Sequence, residues 1–312
     1  MDLKEFSDEN GIILRRHLVA LGIDDKVIRR AIDSGRIVRL RAGAYALAGV
    51  WDAADAIGRH RLIAAAVRLV YDEDVALSHV SACLEYGAPT WGMDLSRVHL
   101  TSLEGRGERT AAGIVHHRGG CGVLDITRDG QGWITAPTRT ALDTASHLPQ
   151  EPAVVLLDWF LHEGLTTKDE LEIGRASMHR WPDSLALRRS VQLADGSAES
   201  VGESRFRLMC RRYGLPAPFA QYEIHHPNGR LAGRVDFAWP EHRLIVEFDG
   251  REKYRRFRRP GESLEEAIMR EKDREDLLRE LTGWRVIRIT WADLARPAET
   301  IARLRRALGV AA

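Results

Sequence analysis

The stretch GRVDFAWPEHRLIVEFDG, residues 233–250, places three acids inside what otherwise reads as the core of a sheet. LIVEFD is filled with Leu, Ile, Val and Phe, yet it carries Glu247 and Asp249. Side chains alternate along a strand, so these two share one face. Asp236 stands in the preceding run, and the link between the runs is short. If Glu241 and His242 form a two-residue loop, Asp236 lies directly across from Glu247, on the face that carries Asp249. Burying a carboxylate costs several kcal/mol unless it is paired. Three of them together repel one another, and either raise each other's pKa or need a cation. A divalent ion with oxygen ligands meets that need, and Mg²⁺ is commonly held by a few carboxylates with water and substrate phosphate. Glu203 can supply a fourth acid, and Gln221 can approach from the first strand. The alternative is a structural role, with Glu247 and Asp249 neutralised by Arg234 or Arg251.

The segments around this stretch read as helix, strand, strand, strand, helix, strand, helix. SVGESRFRLMCRRYGLP is a helix stopped at Gly214 and Pro216. PFAQYEIHH and LAGRVDFAW are strands joined at the Asn228-Gly229 turn signal, and LIVEFDG is the third. A basic run follows, in which Arg251, Lys253, Arg255, Arg256, Arg258 and Arg259 surround Tyr254 and Phe257. Cations neutralise phosphates and aromatic rings stack on exposed bases, so this run suits a nucleic acid; a solvated loop balancing the acids beyond it is the plainer reading. Ser263 and Glu266 then open a long helix with a capping box, WRVIRIT is the fourth strand, and a helix closes the chain.

At the other end, DENGIILRRHLVALG and IDDKVIRRAIDSG read as two short helices, stopped by Gly22 and Gly35, with Asp24 capping the second. RIVRLRAGAYAL reads as a hairpin turning at Ala42-Gly43. Two helices and a basic hairpin make a winged helix-turn-helix. Lys26, Arg29 and Arg30 on the second helix and Arg36, Arg39 and Arg41 on the wing are its candidate DNA contacts. Residues 53–195 read as an α+β segment without a catalytic set. His116 and His117 are adjacent, point opposite ways if extended, and lack a third ligand at metal spacing, so a structural or surface role is expected for them.

The bulk numbers allow this. The 312 residues are 44% hydrophobic and 29% charged, with a net charge of +1, so any nucleic-acid surface is local rather than global. The cysteines, Cys83, Cys121 and Cys210, form no metal or disulfide pattern, which suits a reducing cytoplasm. MDLKEFSDENG is unlike a signal peptide, and no apolar run approaches the roughly 20 residues of a membrane span.

The C-terminal order, with Glu203, Asp236 and then Glu247-Phe248-Asp249-Gly250, resembles the PD-(D/E)XK nuclease superfamily, and within it the very-short-patch-repair-like branch, along residues 199–310. The N-terminal GIILRRHLVALGIDDKVIRRAIDSGRIVRLRAGAYAL resembles the winged-helix domain of AbiEi-type antitoxins from type IV toxin–antitoxin systems. The middle, with LSHVSACLEYGAP and TRTALDTA, resembles the region that follows it in actinobacterial relatives. The resemblance implies three domains, 1–52, 53–195 and 196–312, the last with a restriction-endonuclease-like α-β-β-β-α-β core in an α+β and α/β multidomain chain. It implies that Asp236, Glu247 and the Phe248 carbonyl hold Mg²⁺ or Mn²⁺ and that Glu203 holds a second ion or a coordinated water. The superfamily often has Lys where Asp249 stands; Lys253 can reach back in its place. Two functions are then weighed: a metal-dependent endonuclease in phage defence or DNA repair, cutting as a homodimer, and an AbiEi-like antitoxin or transcriptional regulator with an inactive nuclease-like domain. A third is a module that neutralises a partner toxin of nucleotidyltransferase type.

Overall fold

A computed structural model of the chain describes residues 3–71, 74–103, 109–118, 120–178, 184–249 and 262–310. The protein is mixed α/β, with helices and three sheets. It divides into two compact units, residues 1–156 with 165–188 and residues 157–164 with 189–312. Among the described residues no helix is long and apolar enough to cross a membrane.

The first unit opens with β1 (Ile12–Leu14), α1 (Arg15–Ala20), α2 (Asp25–Asp33) and the hairpin β2 (Ile37–Arg41) and β3 (Ala44–Leu47). β3 is the middle strand, antiparallel to both neighbours. Residues 12–14 were expected inside the first helix and form a strand instead. All three are buried, which a helix with a single apolar stripe does not do, and Gly11, at φ 75°, turns the chain into them. Asp24 caps α2 by accepting the Val27 N–H at 3.0 Å, as its position predicts. Helices α3 (Ala48–Ala53) and α4 (Ala56–Tyr71) follow. Leu62 and Ala66 of α4 join Ile12, Leu14 and Ala44 in one core, so apolar packing runs across residue 52 without a break.

The rest of this unit is built on β4 (Val75–Leu77), α5 (His79–Tyr86), β5 (Val98–Ser102), β6 (Arg109–Ala111), β7 (Ile114–Arg118), β8 (Ile126–Arg128) and β9 (Trp133–Thr135). The strand order is β6-β7-β5-β4-β9-β8, with β5 parallel to β7 and β4 parallel to β9. Helices α6 (Pro137–Ser146), α7 (Gln150–His162), α8 (Lys168–Ser177) and α9 (Ser184–Leu193) complete this stretch of chain. Thr167 and Glu170 form the expected capping box on α8. Charges taken inside are matched: Arg139 meets Asp143 at 2.8 Å and Arg68 meets Asp129 at 2.5 Å.

The second unit contains α10 (Val201–Arg212), β10 (Phe219–His225), β11 (Leu231–Trp239), β12 (Leu244–Asp249), α11 (Leu264–Thr282), β13 (Arg285–Thr290), α12 (Trp291–Leu294) and α13 (Pro297–Leu308). This is the order read from the sequence, with the short α12 added. The sheet runs β10-β11-β12-β13; the first three strands are antiparallel and β13 is parallel to β12. Phe206, Phe237, Val246, Phe248, Ile289 and Leu304 pack on one side with α10 and α13, and Val235, Ile245 and Leu278 pack on the other with α11.

Candidate functional site

The acids sit where β11 and β12 part. The ladder pairs Trp239 with Leu244, Ala238 with Ile245 and Phe237 with Val246, which is the predicted register. The loop is longer than the two residues expected. Pro240–His242 forms a single 3₁₀ turn and Arg243 takes φ 50°, so four residues bridge the strands about the same centre and the register is kept. Beyond Phe237 the ladder stops, and the Asp236 carboxylate takes over: its Oδ2 accepts the Phe248 N–H at 2.7 Å. Val235 and Phe237 pack on opposite sides of the sheet although they are two residues apart, so the alternation slips at Asp236. Across from it Gln221 takes φ 49°, a strained value for a residue with a Cβ.

Glu203 reaches the same place from α10. The helix comes close because residue 202 is glycine: a Cβ there would lie 2.0 Å from Phe248 Cε1. Glu203 is buried and heavily engaged. Its Oε1 accepts from Ser200 Oγ at 2.7 Å, and its Oε2 accepts the Glu199 N–H at 3.0 Å and Gln221 Nε2 at 2.8 Å. Ser200 in turn caps α10, its Oγ accepting the Glu203 N–H at 3.2 Å.

Asp236, Glu247 and Asp249 line a pocket of about 250 Å³, closed by Ala267, Arg270, Arg274 and Leu278 of α11. Its acids are answered by arginines. Arg274 Nη2 donates to Glu247 Oε1 at 3.0 Å and its Nη1 donates to the Arg234 carbonyl at 2.9 Å. Arg234 pairs with Glu199, Arg288 with Glu275, and Arg270 with Glu262 at 2.8 Å. The sequence suggested Arg234 or Arg251 as the neutralising group; the partner found on Glu247 is Arg274, and Arg234 turns to Glu199. A helical signal for this was present in the sequence. Ala267, Arg270, Arg274 and Leu278 recur at spacings of three and four, so two arginines share the stripe that the apolar residues at its ends bury against the sheet.

In this arrangement the residues expected to hold Mg²⁺ or Mn²⁺ do not fit an ion. Glu247 faces a guanidinium, Glu203 is engaged by protein donors on both oxygens, and one Asp236 oxygen holds the Phe248 N–H. The Phe248 ring is buried against α10 and meets Trp291 edge-on at 5.3 Å. Lys253 and the basic residues Arg251, Arg255, Arg256, Arg258 and Arg259 lie outside the described residues.

In the first unit, Lys26, Arg29 and Arg30 are exposed along α2, and Arg36 and Arg39 are exposed at the hairpin. Arg41 is placed differently: its guanidinium lies over the Tyr71 ring, 4.9 Å from the centroid, and is partly buried. Of the adjacent histidines, His116 meets the Tyr71 hydroxyl at 3.2 Å. His117 corrects the expectation that it has no companions, because β5 and α5 bring His99 and His79 to it.

Comparison with known proteins adds two findings. Residues 1–48 match the family model described as a transcriptional regulator, AbiEi antitoxin. Over 282 residues the chain is 33% identical to an uncharacterized protein of Mycobacterium tuberculosis strain CDC 1551 / Oshkosh, covering 89% of this chain and 94% of that protein. The same figures hold for an uncharacterized protein of Mycobacterium tuberculosis strain H37Rv. With nearly the full length of both aligned at this identity, the chain belongs to the family of these mycobacterial proteins.

Proposed function

We propose that the protein is a DNA-binding transcriptional regulator of the AbiEi antitoxin type, in which residues 12–47 act as a winged helix-turn-helix and the second unit is a nuclease-like fold without activity. The observation that carries this reading is the exposed cationic face of Lys26, Arg29, Arg30, Arg36 and Arg39, on helices and a hairpin whose sequence matches the antitoxin regulator family. Such a face suits the second helix to the major groove and the hairpin cations to phosphates. The ion pair of Arg274 with Glu247 supports the inactive half of the reading, since it removes the charge a metal would need. The word antitoxin in the family description also supports a toxin as protein partner.

The test is fluorescence anisotropy of the full chain with a duplex from its own promoter, across a salt series. The expected result is specific binding that Arg29→Ala weakens about tenfold, with the salt slope reduced by about one, while Glu247→Gln binds as wild type. Binding unaffected by Ala at positions 26, 29 and 30 together would overturn the reading.

A second reading keeps the hydrolase, because Asp236, Glu247 and Asp249 do face one pocket. It predicts plasmid nicking in Mg²⁺ or Mn²⁺ that chelation and Asp236→Asn both abolish. Supercoiled plasmid that stays intact at micromolar protein decides for the regulator.

A further inference from the structure

We infer that His79, His99 and His117 form a binding site for a divalent transition-metal ion of the Zn²⁺ class, separate from the acids of the second unit. One ring nitrogen from each of the three lies within 4.8 Å of the others. His99 Nδ1 and His117 Nε2 are 2.9 Å apart. Ligands of a tetrahedral zinc, each about 2.0 Å from the metal, are separated by roughly 3.3 Å, so the His99–His117 pair already lies near ligand spacing and the stacked His79 ring has to turn to complete the set. Imidazole nitrogen is the donor that Zn²⁺, Co²⁺ and Ni²⁺ favour.

Three features of the surroundings point to a ligand. His79 Nε2 is buried and has no partner among the described residues, while its Nδ1 meets Ser78 Oγ at 3.0 Å. In the tautomer with the proton on Nδ1, the ring donates to Ser78 and leaves Nε2 as a bare lone pair, the arrangement of a metal-binding histidine with its outer hydrogen bond in place. Thr101 Oγ1 is likewise buried without a partner among the described residues; it shares a face of β5 with His99 and is paired in register with His117. His79 also holds φ 50°, a left-handed value at the first residue of α5.

The electrostatics do not oppose an ion. Burial lowers the pKa of His99 to about 4 and of His117 to about 3, which keeps the rings neutral, as ligands must be. Of the cations nearby, Arg139 is neutralised by Asp143 at 2.8 Å and Asp125 at 3.3 Å, and the effect of Arg97 on His99 is opposed by Asp94. His147 gives access from solvent. It is exposed, its ring stands edge-on to His79 at 5.0 Å, and its Nδ1 meets the Asp143 carbonyl, which directs Nε2 elsewhere as a candidate fourth ligand beside water. Metal binding opens the His79 and His117 rings from their present stack, 3.5 Å apart at 14°. It ties α5, β5 and β7 together at one point.

The experiment is titration of the untagged full chain, stripped with chelator, with Co²⁺ as a visible probe and Zn²⁺ in thermal melting. One equivalent of Co²⁺ is expected, with the intense absorption of a tetrahedral site. Affinity falls at least tenfold in His79→Gln and in His99→Gln, and Glu247→Gln keeps it. Zn²⁺ raises the melting temperature of wild type and of Glu247→Gln but not of His99→Gln, whose circular dichroism matches wild type; if it does not, His147→Gln serves as the milder variant, expected to weaken Co²⁺ binding and change its spectrum. The inference is overturned if wild type takes up no stoichiometric Co²⁺, if uptake persists in both His79→Gln and His99→Gln, or if Glu247→Gln alone removes it.

Discussion

The two clusters of titratable side chains in this protein solve the same problem in opposite ways. In the second unit, two of the acids gathered on the central strands are met from inside the protein, Glu247 by Arg274 of α11 and Asp236 by the Phe248 N–H. In the first unit, three histidines are gathered where burial keeps them neutral, and the buried His79 Nε2 has no partner among the described residues. A cluster answered by its own chain is a structural device. A cluster left unanswered is the better place to look for a ligand. Sequence draws attention to the acids, since carboxylates in an apolar strand are conspicuous, and the geometry draws it to the histidines.

The comparison breaks most visibly at the charges beside the histidines. Asp143→Ala leaves the buried Arg139 with Asp125 at 3.3 Å as its remaining carboxylate and is expected to destabilise the chain by about 3 kcal/mol, the lower end for a broken buried pair, measured by urea unfolding. In the acid unit the largest loss comes from packing. Gly202→Ala forces a methyl against the Phe248 ring and costs about 1–3 kcal/mol, read in the same assay. Arg274→Met is milder, because its pair with Glu247 lines an open pocket: a double-mutant cycle with Glu247→Gln should give a coupling of about 1 kcal/mol. Should the cycle show no coupling, Glu247 would not be answered by Arg274 and the contrast drawn above would fail. The smallest effect is expected from Asp236→Asn, which keeps an oxygen for the Phe248 N–H and should shift stability by under about 1 kcal/mol, whereas Asp236→Ala loses that bond at a cost of about 1–3 kcal/mol.

Much of the second unit was legible because its signals are local. The capping box at Ser263 and Glu266, the Asn228-Gly229 turn and the alternation through residues 244–249 each specify backbone within a few positions. Even the mistaken loop length left the register intact, since the turn grew by one residue on each side of the same centre. The short β1 was missed because three apolar residues before a helix carry the same local signal as its first turn; only their burial on both sides separates the two. The histidines were missed for a different reason. Positions 79, 99 and 117 follow no ligand spacing, and they meet only because β7 pairs with β5 in parallel across an intervening strand in sequence. Arg274 lay within reach of helical periodicity, but its choice of Glu247 depends on how α11 crosses the sheet.

The apolar contact of α4 with the N-terminal sheet bears on how the parts of this protein can be separated. The matched family region ends at residue 48, but the face formed by Ile12, Leu14 and Ala44 is roofed by Leu62 and Ala66. A fragment cut at the family's border would leave that face wet and prone to self-association. The matched region and the helix behind it therefore share one core, and a dissection aimed at the first unit has to keep residues through at least Tyr71.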